Sequence, residues 1–140
     1  MPKLVILAAG EGKRLRPLTQ ARPKCLVEIK GKPLLDWQIE VAEQAGIKEI
    51  ILVKGYLQEK IDRTGVRSYI NKNFSTTNMV ETLWCANEEF DEDIIISYGD
   101  IIYELHILKA LLESQHKISV VIDKQWESYW ANRFENPLDD

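Results

Sequence analysis

Two glycines and several cations near the N-terminus have the types and spacing suited to binding an anionic ligand. Gly10 and Gly12 follow a short apolar segment, and glycine lets the backbone turn sharply and approach a ligand without interference from a Cβ atom. Successive backbone N–H groups in such a loop form a nest for anions. Arg14 and Lys24 add positive charge where a triphosphate would lie. The pattern predicts a phosphate-binding loop.

The two common glycine motifs for nucleotides do not fit this loop. The dinucleotide fingerprint G-x-G-x-x-G requires a third glycine where this chain has Leu15. The Walker motif G-x-x-x-x-G-K-[ST] requires Ser or Thr after the lysine, and here Lys13 is followed by Arg14. A Gly-x-Gly alone fits a plain turn equally well. The glycines together with the arginine, a proline and a later Pro-Lys are much more specific.

The distribution of charge favours a small polyanion over a nucleic acid. The whole chain carries a net charge of −4, whereas residues 11–32 contain seven cations and two anions. This segment is therefore +5 in a chain whose remainder is −9. Acidic proteins are poor partners for nucleic acids, so we expect a local site for a small, highly charged ligand.

Composition also predicts a cytoplasmic protein that does not bind membranes. No run approaches the ~18 consecutive apolar residues of a membrane span, and no signal-peptide pattern follows Met1. Cys25 and Cys85 lie far apart without metal-binding spacing. They are interpreted as reduced thiols, with one disulfide left as an alternative.

Apolar segments alternate with amphipathic ones along the chain. Strands are predicted at 3–8, 26–29, 49–53, 66–70, 93–97 and 118–122, and helices at 33–45, 56–63, 78–89 and 104–115. This order predicts a three-layer α/β/α sandwich with a mainly parallel sheet and right-handed crossovers. Ligands bind such sheets at the carboxyl ends of the strands, where the loops at Ala9 and at Tyr98-Gly99-Asp100 begin. We expect residues 1–140 to form one domain that is truncated at its C-terminal end, because the aromatic segment after Asp123 has no closing element.

The glycine loop resembles a known signature. Leu7-Ala-Ala-Gly-Glu-Gly-Lys-Arg-Leu-Arg-Pro-Leu-Thr19 and Arg22-Pro-Lys-Cys-Leu26 resemble the motif L-A-A-G-x-G-[ST]-R-[LM]-x-P-L-T, then x-P-K-x-[LM], of the sugar-1-phosphate nucleotidyltransferase superfamily. Lys13 stands where Ser or Thr is usual and adds a charge beside the phosphates. Further pieces of the family pattern follow in order: Gly31-Lys-Pro-Leu34, Gly46-Ile47, Val53-Lys-Gly-Tyr56 and Gly99-Asp100. The resemblance implies a Rossmann-like fold of the nucleotide-diphospho-sugar transferase type.

Within the superfamily, the chain is most similar to the phosphocholine cytidylyltransferase branch. Residues 71–83 resemble that branch's N-x-x-[YF]-x-x-[TY]-N-N-x-x-S-L stretch, with Met79 for the second Asn and Thr82 for Ser. Residues 121–130 are similar to the branch's acceptor region. The resemblance implies transfer of CMP from CTP to a small phosphorylated acceptor such as phosphocholine, with release of pyrophosphate and with Mg²⁺ as cofactor. The alternatives are a sugar-1-phosphate nucleotidyltransferase and a non-catalytic nucleotide-binding or regulatory module.

The resemblance also implies roles for individual residues. Lys24 would contact the α-phosphoryl or acceptor phosphate, and Arg14 the β- and γ-phosphates, with surface cations as the alternative. Asp100 would bind Mg²⁺ and the acceptor, with turn capping as the alternative. The expected nucleotide-binding set is Leu7, Ala8, Ala9, Gly10, Gly12, Lys13, Arg14, Thr77 and Asn78.

The sequence allows two interpretations at each of three places. Thr77 or Asn78 would equally suit the N-cap of the following helix. Trp126 and Trp130 could hold a quaternary ammonium through their ring faces, or form one apolar helix face. The Cys25 thiol next to Lys24 could have a depressed pKa, although the resemblance gives it no catalytic task.

Overall fold

A parallel sheet of four strands forms the centre of the computed structural model, which describes residues 1–136 and 138. The strands are β1 (Lys3–Ala8), β2 (Glu28–Ile29), β3 (Lys32–Pro33), β4 (Ile50–Lys54), β5 (Arg67–Ile70) and β6 (Ile94–Tyr98). The helices are α1 (Leu34–Gln44), α2 (Met79–Trp84), α3 (Leu105–Leu112) and α4 (Trp126–Trp130). The sheet order is β5-β4-β1-β6, while β2 and β3 form a separate antiparallel hairpin.

The central strand β1 is buried on both faces and separates two apolar layers. Leu4 and Ile6 pack on one face, against residues of α1 and α3 such as Leu35 and Leu108. Val5 and Leu7 pack on the other face. There they join a cluster that includes residues of α2 and the segment after it. Alternate side chains of a strand point to opposite faces, so the predicted three-layer sandwich is confirmed.

Helix α1 is one residue shorter at each end than the helix predicted at 33–45. Pro33 precedes its first residue, a position where the missing N–H has no helical partner to lose. After the helix, Gly46 adopts φ +85°, and the N–H of Ile47 donates to the carbonyl of Ala42 at 3.0 Å. Such a left-handed glycine satisfies the last carbonyls of a helix.

Two predicted elements are wrong. Residues 118–122 form no strand, and Ile118 and Val120 are 85% and 77% exposed. A β-branched run needs a neighbouring strand to complete its hydrogen bonds, and this one pairs with none in residues 1–136. The helix predicted at 56–63 is only the 3-10 turn Gln58–Lys60, because Leu57 adopts the left-handed φ of 47° and interrupts a right-handed helix.

Other boundaries differ by a few residues. The strand predicted at 26–29 shortens to β2, and the helix predicted at 78–89 is divided into α2 and the 3-10 turn Asn87–Glu89.

Within the described residues, no helix has the length and apolar character needed to cross a bilayer.

Candidate active site

A cavity of about 380 Å³ opens at the carboxyl ends of β1 and β6. Eight of the residues predicted from the sequence line it: Leu7, Ala8, Gly10, Gly12, Lys13, Arg14, Lys24 and Asp100. The lining also includes residues that were not predicted, among them Glu11, Phe74, Ser75 and Met79. The phosphate-binding loop and the turn after β6 therefore meet at one end of the sheet, as the parallel topology requires.

Gly12 makes the sharp turn of the glycine loop. Its φ of +62° lies in the left-handed region, and a Cβ atom there would lie 3.0 Å from Thr19 Cγ2 and 3.1 Å from Lys24 Cβ. The fully buried Thr19 donates its hydroxyl hydrogen to the Gly12 carbonyl at 2.7 Å. The hydroxyl of Tyr56 donates to the Thr19 carbonyl at 3.0 Å. These contacts fold the loop back onto itself and bring Lys24 to the cavity.

Gly10 has no such structural requirement. It lies on the exposed side of the loop, its φ is outside the left-handed region, and a Cβ atom there would meet nothing within 4 Å. The sequence predicted a turn at both glycines, whereas only Gly12 makes one. Close approach of a ligand to the backbone at Gly10 stays a prediction.

The turn after β6 carries Asp100 to the same cavity. Gly99 packs so closely on β1 that a Cβ atom would lie 2.9 Å from the Leu7 carbonyl oxygen. The Gly99 N–H donates to that oxygen at 2.8 Å. The next residue, Asp100, forms an ion pair with the ammonium of Lys24 across the cavity. Both side chains are about one-third exposed, at 34% and 31%, so each is open to a ligand.

The cavity lining has an excess of positive charge. Lys13, Arg14 and Lys24 face the carboxylates of Glu11 and Asp100. Glu11 lies 3.5 Å from the Lys13 ammonium, and it also contacts Arg16 at 3.6 Å. Weak, partly exposed pairs of this kind exchange readily for a more highly charged partner, which suits an anion that carries several charges.

Residues 4–132, which contain the entire cavity lining, match the sequence model of the MobA-like NTP transferase domain. The chain belongs to this family. A CTP:phosphoglutamine cytidylyltransferase from Campylobacter jejuni is 41% identical, over 97% of this chain and 58% of that protein. The structure of a CTP:phosphocholine cytidylyltransferase from Streptococcus pneumoniae superimposes with a TM-score of 0.66 and 40% identity, over 70% of this chain and 44% of that one.

Sugar-1-phosphate nucleotidyltransferases are similar as well. A bifunctional sugar-1-phosphate nucleotidylyltransferase/acetyltransferase from Sulfurisphaera tokodaii is 32% identical, over 72% of this chain and 25% of that protein. This NTP transferase chain spans about half the length of the two cytidylyltransferases that it matches. The family and the fold are therefore shown, including the Rossmann-like arrangement that the resemblance implied.

Three predicted nucleotide contacts of the NTP transferase domain lie outside the cavity lining. The Ala9 carbonyl accepts a hydrogen bond from the Tyr56 N–H at 3.0 Å. Asn78 caps α2, since its Oδ1 accepts from the N–H groups of Val80 and Glu81 at 3.0 and 3.3 Å. The capping alternative for Asn78 is confirmed, and its contact with a base stays a prediction.

Thr77 belongs to a hydrogen-bond network beside the same helix. Its hydroxyl donates to the Asn73 carbonyl at 2.8 Å and accepts from the buried Asn71 amide at 2.9 Å. The side chains that reach the cavity from this segment are Phe74, Ser75 and Met79. The sequence signals for them were the match of Phe74 to the [YF] position of the branch pattern and the departure of Met79 from it.

Trp126 and Trp130 pack on each other. Their rings meet edge to face at 5.9 Å, and Trp130 continues to Phe134 at 5.8 Å. Neither tryptophan lines the cavity within the described residues. This is the apolar helix face that the spacing offered as the alternative, and the acceptor-binding role of both tryptophans stays a prediction.

The Cys25 thiol does not have the depressed pKa that its position next to Lys24 allowed. The residue is only 2% exposed, and burial raises the pKa of its thiol to about 12, although the nearby Arg63 opposes the shift. A thiol with this pKa stays protonated at neutral pH and is a poor nucleophile.

Proposed function

We propose that this domain transfers a nucleoside monophosphate, CMP from CTP, to a small phosphorylated acceptor and releases pyrophosphate. The observation that carries the proposal is the meeting of the Gly10–Gly12 loop, the cations Arg14 and Lys24, and Asp100 in one cavity of an NTP transferase domain. The preference for CTP rests on the similarity to two cytidylyltransferases at about 40% identity.

The reaction has one covalent exchange at phosphorus. An oxygen of the acceptor phosphate forms a bond to the α-phosphorus of the nucleotide, while the bond from that phosphorus to the pyrophosphate oxygen breaks. The acceptor phosphate is already ionised, so no general base is required. The barrier comes from bringing two anions together and from the charge that develops in the transition state, and fixed cations reduce both.

Lys24 and Arg14 supply this charge in the proposal. Lys24 contacts the α-phosphoryl group or the acceptor phosphate, and Arg14 contacts the β- and γ-phosphates. The backbone N–H groups around Gly10 and Gly12 cradle the nucleotide. To reach a phosphate, the Lys24 ammonium exchanges its contact with Asp100 for one with the ligand.

Asp100 fits a role in holding Mg²⁺. Mg²⁺ takes one or two carboxylates together with phosphate oxygens and water, and it seldom uses a site built wholly of protein groups. When bound, the ion would neutralise phosphate charge, and Asp100 would anchor it at the edge of the sheet.

The acceptor is proposed to be an amino-alcohol phosphate or a related compound, and phosphocholine is the first candidate. A hexose 1-phosphate is the second candidate, supported by the similarity to a sugar-1-phosphate nucleotidyltransferase. CTP and small phosphorylated metabolites are cytoplasmic compounds, so the proposed reaction takes place in the cytoplasm. A non-catalytic nucleotide-binding module is the remaining alternative.

Pyrophosphate release in the presence of Mg²⁺ tests the proposal. CTP, UTP, GTP and dTTP are crossed with phosphocholine, phosphoethanolamine, aminoethylphosphonate, phosphoglutamine and hexose 1-phosphates. We expect turnover with CTP and an amine-bearing acceptor, and a loss of roughly 10²–10³-fold in Lys24→Ala and Asp100→Ala. Lys48→Ala is the matched control, since it removes an exposed lysine just before β4, at the opposite edge of the sheet.

Two outcomes would overturn the proposal. Turnover only with hexose 1-phosphates would assign the sugar reaction instead. Nucleotide binding without turnover for any pair would favour a regulatory module.

A further inference from the structure

Gln38 is a polar residue on the buried face of α1. It is 1% exposed and lies between the core residues Leu35 and Ala42. A buried amide must form hydrogen bonds to offset the loss of its contacts with water. The sequence shows Gln38 only as an interruption of an apolar stripe.

The partners of Gln38 all lie at the end of β6. Its Nε2 donates to the carbonyls of Tyr98 and Ile101, both at 2.9 Å. Its Oε1 accepts from the hydroxyl of Ser97 at 2.7 Å. The two carbonyls enclose Gly99 and Asp100, so one amide group bridges the turn that presents the Asp100 carboxylate.

The first turn of the same helix supports the other half of the Lys24–Asp100 ion pair. The N–H of Leu34 donates to the Val27 carbonyl at 3.0 Å, and the N–H of Val27 donates to the Lys24 carbonyl at 3.1 Å. Helix α1 therefore holds the chain near Lys24 through its backbone and the chain near Asp100 through Gln38.

We propose that Gln38 is a positioning residue that fixes Asp100 relative to Lys24. The inference rests on the proposed nucleotidyl transfer, in which both side chains touch the ligand. Displacing a group that touches the reacting atoms by about 1 Å can lower the rate of a positioned reaction by roughly 10²-fold. Gln38 is buried and does not line the cavity, so its loss should affect turnover and the use of Mg²⁺ more than nucleotide binding.

Three variants of the full protein separate positioning from stability. Gln38→Met keeps the length of the side chain and removes its hydrogen bonds. Ser97→Ala removes the hydroxyl contact and leaves both amide–carbonyl bonds. Leu35→Ala removes a fully buried side chain on the same helix, which costs stability without touching the turn after β6.

In Gln38→Met we expect kcat to fall at least about tenfold and the half-saturating Mg²⁺ concentration to rise several-fold. The dissociation constant for nucleotide without Mg²⁺ should stay within about twofold. Ser97→Ala and Leu35→Ala, assayed below their melting temperatures, should keep kcat within about threefold. Equal losses of kcat in Gln38→Met and Leu35→Ala, or an unchanged kcat in Gln38→Met, would overturn the assignment.

Amide hydrogen exchange at residues 99–102 gives a readout that does not depend on catalysis. Gln38→Met should exchange there about tenfold faster than the wild type, and Leu35→Ala should not. If the wild type shows no turnover with any pair, the proposed function fails, and the exchange rates still decide whether Gln38 holds the turn. Equal exchange in the two variants would refute the positioning role in that case as well.

Discussion

Alanine substitutions at Gly12 and Gly10, two residues apart in the same loop, should differ in their effect on stability. At Gly12 the left-handed φ of +62° costs an L-residue about 1–2 kcal/mol. The new Cβ atom would also press on Thr19 and Lys24 at 3.0–3.2 Å. Alanine stiffens the unfolded chain, which returns roughly 0.4–1 kcal/mol. The strain less this gain is about 0–1.6 kcal/mol. The close contacts add to the loss, so Gly12→Ala should lower the free energy of unfolding by about 1–2 kcal/mol.

Gly10→Ala meets neither obstacle. Its φ is outside the left-handed region and nothing lies within 4 Å of the new atom. The free energy of unfolding should therefore be unchanged, or higher by up to about 1 kcal/mol because the unfolded chain is stiffer. If a phosphate approaches the backbone here, the methyl group should weaken nucleotide binding about tenfold, which corresponds to about 1.4 kcal/mol.

Urea unfolding at pH 7, followed by tryptophan fluorescence, measures the free energy of unfolding. Calorimetric titration with CTP measures the affinity for nucleotide. Gly12→Ala should lose stability and also bind more weakly, because Lys24 is displaced. Gly10→Ala should lose affinity alone. Equal stability of Gly12→Ala and wild type would refute the argument from backbone strain. Unchanged affinity of Gly10→Ala would refute the approach of the ligand at that glycine.

Three further predictions concern other parts of the domain. Hydrogen bonds hold the pKa of Glu89 down to about 2 from 4.5 despite its burial. The contribution of the Glu89 carboxylate to stability should thus be complete above about pH 4.5 and lost as the pH falls towards 2. In Glu89→Gln, the free energy of unfolding measured with urea should depend less on pH across this range than in the wild type. At pH 8 a thiol reagent should modify Cys85 in the native protein and Cys25 only after unfolding, measured by mass spectrometry. Tyr56→Phe should lower the free energy of unfolding by about 0.5–1.5 kcal/mol through the lost bond to the Thr19 carbonyl, measured by the same urea method.

The sequence predicted the elements whose pattern and end signals agree. Strand β1 is apolar at every position after Lys3 and has the predicted bounds. Helix α1 has an amphipathic pattern, Pro33 before its first turn and Gly46 after its last. The position of the cavity was also predictable, because parallel strands bring the loop after β1 and the turn after β6 to one edge of the sheet.

Three of the misses share a physical cause, which is dependence on a partner distant in sequence. Residues 118–122 have a strong preference for strand and no neighbouring strand in the described chain. Phe74 reaches the cavity from a loop, and Met79 from the first residue of α2. The path of this loop depends on tertiary contacts, such as the edge-to-face packing of Phe74 on Tyr56 at 6.1 Å. Gln38 can be recognised as important only when the carbonyls of Tyr98 and Ile101 are seen around it.

Charged side chains are buried in a network at one edge of the sheet and partly exposed at the other. At the amino edge, Glu89 is buried and accepts hydrogen bonds from Lys3, Arg67 and Tyr69 at 2.5–3.1 Å. Breaking such a network leaves buried charge without compensation, so it favours one fixed arrangement.

At the carboxyl edge, Lys24 and Asp100 stay about one-third exposed, and their pairing can be exchanged at small cost. A ligand that carries several negative charges can then compete for Lys24, while the rigid amino edge and Gln38 keep the surrounding backbone in place. The buried Glu89 network and the exchangeable Lys24–Asp100 pair lie at opposite edges of the sheet. Lys24 can therefore change its partner without breaking the contacts that hold the fold.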